Sequence, residues 1–69
     1  MKLAERIIDL TTQGIMIGFE FNPVLETVRT SAKKGPWLAT TDLSFLDIEN
    51  ADNKDDLLVD AINNAVKKF

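Results

Sequence analysis

Apolar residues recur along this chain with two different periods, and the change of period marks its elements. Leu3, Ala4, Ile7, Ile8 and Leu10 fall at helical spacing, while Lys2, Glu5, Arg6 and Asp9 take the other face. This predicts a first helix over 2–13, ended by Gly14 as a left-handed cap. The period then drops to two. Ile15, Ile17, Phe19 and Phe21 alternate with Met16, Gly18 and Glu20, which predicts a strand with one strongly apolar face. Gly18 reads as a bulge or a place where a neighbour packs close. Asn22-Pro23 ends the strand, because Pro has no N–H for the ladder.

A second strand is predicted over 25–32, where Thr27, Val28 and Thr30 favour extended backbone. Lys33-Lys34-Gly35-Pro36 reads as a turn, and 37–43 as a third strand. Connections this short favour an antiparallel meander, since crossovers need a dozen residues or more. Ser44-Phe45-Leu46-Asp47 has the form of a single helical turn with Ser44 as cap and Asp47 as the distal half of a capping box. Residues 50–53 read as loop. The last element is the clearest. Leu57, Leu58, Ala61, Ile62, Ala65, Val66 and Phe69 make one apolar stripe, capped by Asp52 or Asn53. Asp55 and Asp56 stand in its first turn and Lys67 and Lys68 in its last, matching the helix dipole. The expected fold is α+β with the order αβββα, a three-stranded antiparallel meander with both helices on one face.

Length bounds what this pattern can build. At 69 residues the chain is a single domain, 1–69, with a thin core. Its 45% apolar and 28% charged residues are ordinary for a soluble globular protein. No apolar run is long enough to cross a bilayer. Residues 1–10 mix charges into the apolar positions, unlike a signal peptide, so a cytoplasmic protein is expected.

Candidate chemistry is sparse because His, Cys and Tyr are absent. The usual neutral-pH base and the thiolate are missing, so no disulfide and no Cys- or His-bound zinc can form. Ser31 and Ser44 have no His to activate them. Asp52, Asp55 and Asp56 are the carboxylates closest together, and the helix dipole accounts for acids at that position. A calcium loop over 47–52 fails at Ala51 and lacks the turn glycine. Gly14 and Gly18 do not make a phosphate loop. The expectation is a chain that is not an enzyme and takes no cofactor.

The formal net charge of −3 is unevenly spread. Residues 1–36 carry five basic against four acidic side chains, and residues 37–69 three against seven. An acid-rich second half argues for a protein partner and against nucleic acid. Two contact surfaces are expected. One is acidic and includes Asp52, Asp55 and Asp56. The other is the free sheet face, with Trp37 beside Met16, Thr27 and Arg29, since Trp, Met and Arg are enriched at interfaces. A homodimer through that face is one expected outcome. The alternative is nucleic-acid contact through Arg29, Lys33 and Lys34, with Trp37 stacking on a base.

In element order the chain resembles the double-stranded RNA-binding domain over its whole length. That family reads phosphates with basic residues at the start of its last helix. The matching stretch here, Asn53-Lys54-Asp55-Asp56, is acidic, so the resemblance does not imply RNA binding. The chain also resembles the small phage and prophage proteins of Gram-positive bacteria. It shares their Ile, Lys, Asp and Asn usage, a helix, a hairpin over 14–41 and an amphipathic end. That resemblance implies an accessory factor that binds a protein partner or itself.

Overall fold

The computed structural model describes residues 2–69. Its elements are α1 (Lys2–Thr12), β1 (Met16–Asn22), β2 (Thr27–Lys34), β3 (Trp37–Ser44), α2 (Phe45–Asn50) and α3 (Lys54–Val66). The strands form one antiparallel sheet in the order β1-β2-β3. The αβββα order is as the periodicity predicts, with α2 as an additional short helix.

Each boundary has a local cause. Gly14, at φ +83, closes α1, and the Ile15 amide donates to the Leu10 carbonyl at 3.0 Å. Between β1 and β2, the Asn22 side chain accepts from the Val24 and Leu25 amides at 3.0 and 3.1 Å. That side-chain turn delays β2 to Thr27 and leaves Leu25 exposed outside the strand. The β2–β3 turn is tighter than composition implies. Lys33 and Lys34 belong to β2, and Lys34 pairs with Trp37. Only Gly35 and Pro36 lie between them, and Gly35 takes φ +59. Both primed hairpin turns need a positive φ at that first position, and Pro36, fixed at negative φ, selects type II′. Ser44 caps α2 with a complete capping box: it accepts from the Asp47 amide at 3.0 Å, and Asp47 accepts from the Ser44 amide at 3.4 Å. Asn53, not Asp52, caps α3 by accepting from the Asp56 amide at 3.1 Å.

The core lies between the helices and one sheet face. Leu10, Ile15, Ala32, Ala39, Ile62 and Ala65 are its buried centre, with Leu3, Ile7, Ile17, Phe19 and Val66 packed around them. Two expected members are elsewhere. Ile8 is 64% exposed, because a helix that buries Leu3, Ile7 and Leu10 turns position 8 outward. Phe21 is 65% exposed at the end of β1, where it packs on Phe45 with ring centroids 6.4 Å apart. Gly18 makes no bulge. Its pairing with Ser31 is continuous, and an added Cβ would stand 3.0 Å from the Ser31 hydroxyl. The second reading of that glycine, close approach, is the one observed.

Glu26 is the one described residue other than glycine with a positive φ, at 53. Its carbonyl accepts from the Phe45 amide at 2.8 Å, which fastens the β1–β2 turn to the start of α2. Left-handed backbone costs a side-chain-bearing residue about 1–2 kcal/mol, and glycine gives back part of that through its looser unfolded chain. Glu26→Gly is therefore expected to stabilise the fold by roughly 0.5–1 kcal/mol. A rise in the urea midpoint with unchanged slope would show it. A fall would mean that the Glu26 side chain holds the turn.

Candidate functional site

Register decides which side chains share a face. Directly paired residues point the same way, and neighbours along a strand alternate. Val28, Thr30 and Ala32 are buried under the helices, so Lys34 follows on that side. Trp37 pairs with Lys34 and precedes Ala39, Thr41 and Leu43 in the same phase. Trp37 therefore belongs to the helix side of the sheet, at the hairpin end. It does not stand beside Met16, Thr27 and Arg29 as expected, because those residues have the opposite phase. The last buried residue of β3 on its side is Ala39, and Trp37 lies beyond it, 70% exposed.

The end of α3 completes the surroundings of Trp37. α3 stops at Val66, and two tightening backbone bonds, from the Lys68 amide to Ala65 and from the Phe69 amide to Val66, carry the chain to Phe69. Phe69, the last residue of the predicted apolar stripe, is thereby left 46% exposed. Lys68 reaches across to donate its ammonium to the Thr40 carbonyl on the β3 edge. Lys34, Trp37, Leu38, Lys68 and Phe69 line a cleft of about 430 Å³. It is an apolar platform whose walls include two lysines. Indole, phenyl and isobutyl surfaces there offer a partner area, and the lysines favour an anionic rim.

The open sheet face is more polar than its expected role requires. Its rows are Met16–Lys33–Leu38, Gly18–Ser31–Thr40, Glu20–Arg29–Asp42 and Asn22–Thr27–Ser44. Only the first row presents large apolar side chains. Met16 and Leu38, 69% and 65% exposed, flank Lys33 beside the hairpin end. Arg29 is held by Asp42 through two hydrogen bonds of 3.0 and 3.4 Å. Lys33 and Lys34 point to opposite faces, as consecutive strand residues must. Arg29, Lys33 and Lys34 thus do not form one basic site.

The Arg29–Asp42 pair has a pH signature. The hydrogen bond from Arg29, then its charge, holds the Asp42 carboxyl below its ordinary value, and the Asp42 hydrogen bond raises Arg29. A depressed carboxyl stabilises the fold above its unfolded value, near 4, and loses that contribution as pH falls through the folded value. Wild type is therefore expected to lose more thermal stability on acidification below pH about 4 than Asp42→Asn does. Parallel pH profiles would show that the exposed pair adds nothing measurable.

Two of the three acidic candidates are occupied in holding the chain. Asp55 and Asp56 lie in the first turn of α3, and Lys2 binds the Asp56 carboxylate at 3.1 Å. Asp52 is exposed in the α2–α3 connection. Among the described residues, no three acids are grouped so as to hold a metal ion. A second cleft of about 240 Å³ opens between Phe21, Phe45, Ile48 and Glu49 at the far end of the sheet. Exposed Val24, Leu25 and Leu46 belong to the same end.

Compared with known proteins, the chain matches no family model, no curated protein and no solved structure. Among the described residues, no helix is long and apolar enough to cross a membrane.

Proposed function

We propose that this chain is a non-enzymatic interaction protein, which binds a protein partner or a second copy of itself through its exposed apolar ends. One observation carries the reading. Eight large apolar side chains are more than 60% exposed, and all but Ile8 gather at the two ends of the sheet. Scattered exposed apolar residues are normal, but contiguous ones on a small protein mark contact sites. The cleft beside Trp37 is the better formed of the two ends, with an aromatic anchor of the kind that dominates binding energy. The remaining chemistry supports the same reading, since Asp47, Asp55 and Asp56 serve as a capping-box, a dipole and an ion-pair partner. The resemblance to phage and prophage proteins makes a bacterial host protein the partner class to look for.

Nucleic acid is the second reading, favoured by one feature: Trp37 shares a cleft with Lys34 and Lys68, as a stacking platform with phosphate contacts would. The overall charge of −3 opposes it.

Site-specific photo-cross-linking tests the reading in cells. Leu38 and Ile8 are equally exposed, at 65% and 64%, but only Leu38 adjoins the cleft. A cross-linking residue at position 38 is expected to yield protein adducts, and one at position 8 is not. Equal yields at both positions would sink the proposal. Adducts to nucleic acid alone would replace it with the second reading.

A further inference from the structure

The two exposed ends differ in sign. At the hairpin end lie the start of β1, the β2–β3 turn and the end of α3. The segments 10–18, 30–41 and 61–69 that build it contain Lys33, Lys34, Lys67 and Lys68 and no acidic residue. At the opposite end lie the β1–β2 turn, α2 and the α2–α3 connection. The segments 19–29 and 42–54 that build it contain Glu20, Glu26, Asp42, Asp47, Glu49 and Asp52 against Lys54 and Arg29, and Arg29 is ion-paired with Asp42. The eight residues of β2 set these ends about 25 Å apart. The molecule measures 31 × 26 × 17 Å, so they are its two poles along a long dimension.

Each pole also has apolar surface at its centre: Trp37, Leu38 and Phe69 at the basic pole, Phe21, Val24 and Leu46 at the acidic one. Apolar contact alone would let any two poles meet. Charge removes two of the three pairings. Basic on basic brings four lysines against four, and acidic on acidic brings like carboxylates together, each at a cost. Basic on acidic is the one pairing in which apolar area is buried inside a rim of opposite charges.

We infer that copies of this chain associate head to tail, the lysine-bearing pole of one seated on the acidic pole of the next. The inference rests on the reading of the poles as contact surfaces and names the partner as a second copy. Such a contact is heterologous. Every added copy leaves one free pole of each sign, so growth continues in an open chain unless the rotation between copies closes a ring. The rim charges are exposed, so salt weakens the assembly.

Sedimentation velocity on the purified full chain tests this. The expected result is a mass that grows with concentration and falls when salt is raised. Two variants separate head-to-tail from face-to-face contact. Lys34→Gln with Trp37→Ser disables the basic pole, and Leu46→Ser with Glu49→Gln disables the acidic pole. All four positions are exposed, and circular dichroism checks that both variants fold. Each alone is expected to associate about tenfold more weakly or worse than wild type. Mixed in equal amounts, they retain one intact pole each and are expected to form a two-chain complex that grows no further. A wild type that stays monomeric at every concentration overturns the inference, as does an assembly that the mixture fails to restore. Monomeric protein that still gives adducts from position 38 in cells leaves the interaction reading standing and removes only self-association.

Discussion

Ile62→Ala is expected to remove most of the stability of this protein. Ile62 is fully buried at the centre of the core, on the face of α3 that meets the sheet. Truncating a buried isoleucine costs about 2–5 kcal/mol, the upper part of that range arising where neighbours fail to collapse into the cavity. The neighbours here are unusually short. Four of the eight buried apolar residues are alanines, namely Ala32, Ala39, Ala61 and Ala65, and an alanine has no rotamer with which to fill space. Two of them sit on paired strand positions and two on the same helix as Ile62, so backbone would have to move. A domain of this size rarely holds more than about 3–5 kcal/mol from its core. Far-UV circular dichroism in urea is the measurement, because Trp37 is too exposed to report core melting by fluorescence. Wild type is expected to unfold cooperatively, and Ile62→Ala to be largely unfolded before urea is added. Ile8→Ala, on the outer face of α1, is expected to change stability by less than about 0.5 kcal/mol. A loss at Ile62 no larger than at Ile8 would mean that the helices do not pack on the sheet as described.

The same contrast shows how far the sequence was legible. Ile62 and Ile8 both lie in apolar stripes, but only the first stripe is long enough to fix its own phase. In α3 the residues Leu58, Ala61, Ile62 and Ala65 repeat over several turns, so the buried side is determined. In α1, positions 7 and 8 are equally apolar, and the packing of Leu3, Ile7 and Leu10 settles the choice. The strands were legible as strands because period two is simple. The Trp37 face was not, because its phase depends on where pairing begins. Counting Lys33 and Lys34 as turn hides the Lys34–Trp37 pair that fixes it. The alternation Trp37, Ala39, Thr41, Leu43 contained the answer, since Ala39 had to face the helices if Ala32 did. The basic pole was harder still. Lys68 and Phe69 are thirty or more positions from Trp37 in the chain, and only the parallel course of α1 and α3 over the sheet brings them together. The hydrogen bond from Arg6 to Asn63 at 2.9 Å and the Lys2–Asp56 pair at 3.1 Å set that course.

Removing two hydroxyls from the core is expected to have the opposite effect from removing Ile62. Thr30 and Thr41 are paired across β2 and β3 on the helix side of the sheet. Both Oγ1 atoms are buried, and neither has a hydrogen-bond partner among the described residues. A buried hydroxyl without a partner costs about 1–3 kcal/mol relative to one left in water. Valine has nearly the same shape, keeps the β-branch that suits a strand and brings no polar atom. Thr30→Val and Thr41→Val together are therefore expected to raise stability by roughly 2 kcal/mol, or about 8 °C or more in the melting midpoint of a domain this small. The two sites are in direct contact, so the pair need not equal the sum of the singles, and a double-mutant cycle reads the coupling. Thr40→Val, one residue away on the open face, serves as the control and is expected to change stability by less than about 0.5 kcal/mol. If the double variant is less stable than wild type, the two hydroxyls bond to each other in solution and count as a satisfied pair. If it is more stable and the head-to-tail association is unchanged, the cost of the two hydroxyls is a property of the core alone.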